Sequence, residues 1–444
     1  MLAMNLFNQY RAQVLADPGR YITSYKQVFD EVQRSAAQYK GKPVAFLYQP
    51  LFLSEANIQQ FDQLTQKLYG ILEKVIQHYL ADKGFRAYFG FSPLLEKLIL
   101  KDPGYKIDIP IARFDIFYDF ESGSFQFCEL NTDGSSAMVE QQELAKIFSN
   151  ALTIQEFKKD YKIYDFELFD SLVEVIKSKY KEFSKGSSQK PQVAIVDWLE
   201  GKAPSEFVEF QKAFERAGCQ AVIADPRGLA YRDGKLYYQD FRIDCIYRRA
   251  VTWEIIEKAD SVKGFIDAYL NGDVCVVGPL RSQIAHNKII FALLHDAAKT
   301  PFLTQEERNF VKNHIPFTTI FDSNNPDLVE DAIANKDQRI LKPMDRYASK
   351  GVRAGRDHSA EEWLKIIQEE AKEEYLLQEF CRVPKVPMAF FKDGEAKFRE
   401  CGFTIGLFMY GGSMQGVYTR AGVETIIGSL TESYSVPSFV FVEK

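Results

Sequence analysis

One stretch sharply limits what this 444-residue chain can fold into. At Ile109-Pro-Ile-Ala-Arg-Phe-Asp-Ile-Phe-Tyr-Asp-Phe120 a helical texture gives way to alternation, with 113, 115 and 117 set against 112, 114 and 116. That is a strand pattern. Glu121-Ser-Gly-Ser124 reads as a turn and Ser124-Phe-Gln-Phe-Cys-Glu-Leu-Asn-Thr-Asp133 as the returning strand. Period two then puts Arg113 and Asp115 on one face of the first arm, and Glu129 and Asn131 on one face of the second. Two carboxylates and an amide oxygen converging in apolar company form a hard oxygen site that suits magnesium held against phosphate. The competing reading is a surface hairpin with polar outer positions.

A second stretch, Ile340-Leu-Lys-Pro-Met-Asp-Arg-Tyr-Ala-Ser-Lys-Gly-Val352, reads as strand, loop, strand. Lys342 at the strand end and Lys350 in the loop can set two cations over a polyphosphate while backbone N–H groups cradle its oxygens. The ligand this implies is a nucleotide triphosphate. Asn287 and Lys288 stand near the head of an apolar helix, where the macrodipole also favours phosphate. Tyr375-Leu-Leu-Gln-Glu-Phe-Cys381 is a strand leading to a change of direction at Pro384 and Pro387. Gln378 and Glu379 therefore fall where an adenine edge can be read. His286 and His295 read as packing histidines.

The remaining chain frames these motifs. From Asn5 to about Leu100 apolar residues recur at helical spacing, with 61, 64, 68, 71, 72 and 75 on one face, so this region is a helical scaffold or cap. Helical spacing returns over 139–183, and Lys185-Gly-Ser-Ser-Gln-Lys-Pro191 marks a boundary. Val193–Val196, a helix over Ser205–Ala217 and the strand from Cys219 make a β-α-β unit without the glycine turn of a dinucleotide site. Arg248 and Arg249 end the next strand as a carboxylate grip or a surface pair. Ser359–Glu373 reads as a capped amphipathic helix. The closing segment is strand-rich, with Arg420 ending Gly416-Val-Tyr-Thr-Arg.

Composition excludes several classes. A net charge of -6 and a pI near 5.7 argue against a nucleic-acid surface. The six scattered cysteines lack metal-ligand spacing and read as reduced thiols of a cytoplasmic protein. The amino terminus lacks the regions of a signal peptide, and no apolar run is long enough for a membrane span.

Arg113-x-Asp115, Glu129-x-Asn131, Asn287-Lys288, Lys342-Pro343 and Gln378-Glu379 occur in the order seen in the glutathionylspermidine synthase family, which the chain resembles over roughly Asp108–Lys444. The segment from Val193-Ala-Ile-Val-Asp through Ala224-Asp-Pro to Asp244-Cys-Ile-Tyr-Arg-Arg is similar to that family's pre-ATP-grasp subdomain. Nothing resembles its amidase domain. The resemblance implies an α+β fold, a circularly permuted ATP-grasp with a small α/β pre-ATP-grasp subdomain and a helical N-terminal region. The expected divisions are 1–107, 108–185, 186–280 and 281–444. It implies ATP and Mg2+ as cofactors and formation of an amide from a carboxylate and an amine through an acyl-phosphate. Asp115, Glu129 and Asn131 would hold metal, and Arg113 would neutralise the transferring phosphoryl group. Lys288, Lys342 and Lys350 would contact phosphates, Gln378 and Glu379 the adenine, and Arg420 a second anion near the reaction centre. Met344–Gly351 would close over the intermediate. A degenerate module that binds nucleotide or peptide without turnover is the alternative.

Overall fold

The computed structural model describes residues 2–201, 204–344, 351–370, 375–428 and 432–444. The hairpin forms as its alternation predicts: Ile111–Tyr118 and Phe125–Asn131 pair antiparallel, with Arg113 opposite Asn131 and Asp115 opposite Glu129. Its turn is held by Asp119, whose carboxylate accepts from the Glu121 amide and the Ser122 hydroxyl. The hairpin is not a surface feature. Phe114, Ile116 and Phe127 are fully buried on one face, each worth about 1.5–3 kcal/mol, and Arg113 and Asp115 are also buried on the other.

The reason is the sheet around it. The long strand Glu395–Tyr410 pairs with Lys385–Lys392 through its first half and with Ile111–Tyr118 through its second, while Ser413–Gly422 and then Ser433–Val436 extend the other edge. All these pairings are antiparallel. A separate antiparallel sheet runs in the order Thr318–Ile320, Tyr375–Glu379, Arg339–Pro343, Arg353–Ala354.

The β-α-β unit is present. Four parallel strands lie in the order Cys275–Val277, Cys245–Arg248, Val193–Val196 and Ala221–Ala224. Their high Val, Ile and Ala content is what a sheet covered on both faces requires.

The helical N-terminal region is built from Leu2–Ala16, Pro18–Arg34, Glu55–Ala81 and Pro93–Leu100. Ser54 and Asn57 form a capping box at the head of Glu55–Ala81, and Phe61, Leu68, Ile71, Leu72 and Val75 bury its apolar side. It is more than a lead-in, because Leu51–Ser54 pairs in parallel with the C-terminal strand Ser438–Glu443. That same strand pairs with Tyr161–Tyr164, which interrupts the helical spacing expected over 139–183; helices occupy Met138–Phe148, Leu152–Phe157 and Asp170–Phe183. After Ser359 the helix Ala360–Lys365 widens into a π-helical turn at Ile366–Glu370. All six cysteines are free thiols, and among the described residues no helix is long and apolar enough to cross a membrane.

Candidate functional site

Three distant segments meet on the polar face of the hairpin. Glu129, His286, Lys288, Lys342 and Gln378 line one cleft, floored by Leu130, Phe291 and Leu376. The Lys342 Nζ donates to the Cys128 carbonyl at 3.3 Å, bridging 214 positions of sequence. Lys288 sits just before the helix Ile289–His295, and its backbone N–H donates to the Met344 carbonyl at 3.3 Å. Its ammonium lies 3.4 Å from Glu129 Oε1. Burial alone would raise the Glu129 carboxyl, but Lys288, followed by His286, Arg420 and Lys342, brings it down to about 2. The cleft therefore holds an ionised carboxylate ringed by cations.

Gln378 is buried and donates from Nε2 to Thr318 Oγ1 at 2.8 Å. Glu379 is exposed at the strand end, outside the residues that line this cleft. Lys350, with the rest of 345–350 in the Met344–Gly351 loop expected to close over the site, lies outside the described residues.

Arg113, Asp115 and Arg420 lie beside the cleft on the central sheet. Arg113 grips Asp115 with two bonds, Nε to Oδ1 at 2.7 Å and Nη2 to Oδ2 at 3.1 Å, and its Nη1 donates to the Ser136 carbonyl at 2.7 Å. Arg420 Nη2 reaches the same Asp115 Oδ2 at 3.3 Å. Gly406, opposite Asp115 on the neighbouring strand, makes room for this fork: a Cβ there would stand 2.6 Å from Arg113 Cδ and 2.9 Å from Asp115 Oδ1.

The three expected metal ligands differ in fit. The Glu129 side chain is 32% exposed and its carboxyl is held low, so it fits an oxygen-liganded divalent cation, but Lys288 already lies 3.4 Å from it and would have to yield. Among the described residues no cluster of three or more acidic, histidine or cysteine side chains could hold a metal ion. The Asn131 amide nitrogen has no hydrogen-bond partner among the described residues; as a donor it cannot ligate a cation, so Asn131 would serve a metal through its oxygen alone. Asp115 is 1% exposed with both oxygens engaged by guanidinium groups, and it reaches a metal only by giving up that fork.

A third charged layer joins the hairpin to the parallel sheet. Arg248 pairs with Asp133 at 2.6 Å and Arg249 with Glu206 at 2.6 Å, all four buried, so neither arginine is a surface residue. Glu206 Oε2 also accepts the Ala137 and Val139 amides, capping the helix Met138–Phe148. Gly134, at φ +67°, turns the chain where a Cβ would come 2.6 Å from the Arg249 carbonyl oxygen. Glu140, at the head of that helix, is pushed up to about 8 by burial and then by the Glu206 charge.

Of the two histidines, His295 packs, its Nε2 3.1 Å from the Ile315 and Pro316 carbonyls. His286 does more than pack. Its Nδ1 lies 3.2 Å from the Leu130 carbonyl and its ring forms part of the cleft wall. No spacing signal marks it; only its place directly before Asn287-Lys288 could have drawn notice.

No protein-family model matches the sequence, and no curated protein matches it. Among solved structures, the chain is similar to a glutathione synthetase-like effector, GSS30, from Globodera pallida in its apo form, with a TM-score of 0.64 and 11% identity over 96% of this chain and 98% of that one. That likeness shows a shared fold along nearly the whole chain. Weaker matches are D-alanyl-alanine synthetase A from Vibrio cholerae (TM-score 0.31, 12% identity, 56% of this chain and 89% of that one) and a RimK domain ATP-grasp protein from Sphaerobacter thermophilus (TM-score 0.28, 14% identity, 52% and 91%).

Proposed function

We propose that this protein is an ATP- and magnesium-dependent carboxylate–amine ligase built on a circularly permuted ATP-grasp, similar in kind to glutathionylspermidine synthase. The observation that carries the reading is the convergence of Glu129, Lys288, Lys342 and Gln378 on one cleft from separate parts of the chain. In this reading 1–107 is the helical region, 108–185 carries the hairpin and its helices, 186–280 is the pre-ATP-grasp unit and 281–444 binds nucleotide. Six free thiols suit a reducing environment, which supports a cytoplasmic location.

Lys288 and Lys342 bind the phosphates as point charges, and the base lies beyond Gln378 along its strand, toward Glu379. Glu129 and the Asn131 oxygen would hold the metal, and Asp115 would join them only without its fork to Arg113. A magnesium ion there supplies charge neutralisation across the phosphates. A carboxylate is a poor acyl donor, so the γ-phosphoryl group passes from ATP to the substrate carboxylate as its bond to the β-phosphate breaks and ADP leaves, with Arg113 and Arg420 facing the charge that develops. An amine then attacks the acyl carbon, phosphate leaves, and an amide remains. No side-chain nucleophile is needed.

Titration of a non-hydrolysable ATP analogue, with and without magnesium, on wild type and Glu129→Gln tests the binding half. Magnesium-dependent affinity in wild type, lost in the variant, is the expected result, and equal affinity in both removes Glu129 from the metal site. Amine-dependent ADP release across acid and amine pairs then tests turnover. The fork that occupies Asp115 supports a second reading, nucleotide binding without turnover; tight magnesium-dependent binding with no ADP release for any pair would select it.

A further inference from the structure

Just past the strand Tyr375–Glu379 the chain borders a second, wider cleft of about 870 Å³, counting space open to solvent. Its wall includes Arg356, Phe380, Arg382, Lys385, Gly402 and Thr425, and Glu424 is the one carboxylate among the described lining residues. The charges here are arranged unlike those around them. Neighbouring Lys336, Arg339 and Arg399 each pair with an acid, Asp337, Asp331 and Glu432. Arg356 instead lies over the Phe380 ring, 4.2 Å from its centroid, and donates from Nε to the Asp337 carbonyl at 3.3 Å. Lys385 Nζ donates to the Val423 carbonyl at 3.2 Å. Among the described residues, none of Arg356, Arg382 and Lys385 forms an ion pair. Asp337 and Asp119 feel Arg356 and Arg382 only at longer range.

Arg356, Arg382 and Lys385 are exposed, so salt screens their mutual repulsion, but with a single acid among the described lining residues they leave a local excess of positive charge on a chain whose net charge is -6. An anion in the cleft balances that excess. Arg356 is already held against an aromatic face, which leaves the outer edge of its guanidinium available to a planar or tetrahedral oxyanion at little loss of freedom. Gly402, paired with Lys385 on the neighbouring strand, lets Val383 pack close, since a Cβ there would meet Val383 Cγ1 at 2.6 Å.

We infer that this cleft is an oxyanion site for a phosphate-bearing ligand, held by Arg356, Arg382 and Lys385 and distinct from the cleft at Glu129. Gln378 lines the first cleft and Phe380 the second, about 7 Å apart along an extended chain.

Inorganic phosphate is the first probe, titrated into the full chain at constant ionic strength and read by calorimetry and thermal shift. Wild type should bind it, Arg356→Gln/Arg382→Gln at least ten-fold more weakly, and Lys365→Gln, a lysine outside both clefts, as wild type does. Arg382 is exposed, so Arg382→Gln alone, with an unchanged circular dichroism spectrum, guards against a folding artefact and should still weaken binding several-fold. Unchanged binding in both arginine variants overturns the inference, as does loss in Lys342→Ala alone, which would put the phosphate in the first cleft. Binding that is independent of the ATP analogue assigns the oxyanion to a separate ligand, whereas competition by the analogue would mean that the two clefts are not distinct and would overturn the inference. Because Lys342→Ala tests the first cleft and the arginine variants the second, failure of one reading is separable from failure of the other.

Discussion

Arg113 and Asp115, two positions apart on one strand, close a two-point fork with contacts of 2.7 and 3.1 Å in a place where the aspartate is 1% exposed. The arginine is held above its ordinary range: burial works against its charge, and the facing carboxylate outweighs that effect. Removing Asp115 leaves two guanidinium groups facing each other without their shared anion. Asp115→Ala should therefore cost about 3–5 kcal/mol in a urea melt, as buried ion pairs do when one partner is deleted.

Gly406 offers the steric counterpart. Its backbone lies against that fork, and Gly406→Ala adds a methyl group within 3 Å of both partners. A loss of about 1–3 kcal/mol is expected from overpacking. Measured in the Asp115→Ala background the same change should cost clearly less, because the fork it displaces is gone.

Glu129 gives a pH signature. Its carboxyl is lowered in the folded protein to about 2 from an ordinary value of 4.5. A depressed carboxyl contributes stability that is present above the unfolded value and lost as pH falls through the folded one. Wild type should lose that contribution between about pH 4.5 and pH 2, and Glu129→Gln should show a shallower decline across the same window in denaturant melts. Parallel declines would mean that Lys288 and its neighbours do not stabilise this charge.

Lys342→Ala tests the nucleotide reading most directly. A lost charged contact to phosphate is worth about 2 kcal/mol, or roughly a thirty-fold weaker affinity for an ATP analogue by calorimetry. Among the described residues Lys342 hydrogen-bonds from its ammonium to a backbone carbonyl, and it forms part of the cleft wall, so the fold should tolerate the change. Unaltered affinity would remove it from the phosphate site.

The hairpin is legible because period two fixes which side chains share a face; the register that sets 113 opposite 131 and 115 opposite 129 is not, since it shifts between Asp115 and Ile116. The hairpin's burial is not legible either, since that depends on Glu395–Tyr410 arriving from the other end of the chain. The same is true of Leu51–Ser54 and Tyr161–Tyr164, four-residue strands whose shared partner is Ser438–Glu443. Short strands carry little periodicity of their own. Arg248 and Arg249 are visible as a charged pair, but Asp133 and Glu206, which neutralise them, lie far off in sequence. His286 reads as packing alone because its contact with the Leu130 carbonyl exists only once the hairpin is in place.

Glu140 reverses the sign of the Glu129 case. Burial, then the charge of Glu206, raises its carboxyl to about 8 from 4.5, so the folded state favours the proton. Stability from this group is intact below the unfolded value and is lost as pH rises through the folded one. Wild type should weaken between about pH 4.5 and pH 8, whereas Glu140→Gln, which keeps the shape without the charge, should lack that decline. By thermal melts the variant should be the more stable of the two at pH 9 and should lose the advantage at pH 4. A constant gap between the two curves would show that Glu140 does not titrate in that range, and that Arg113 and Arg249 nearby hold it as an ion throughout.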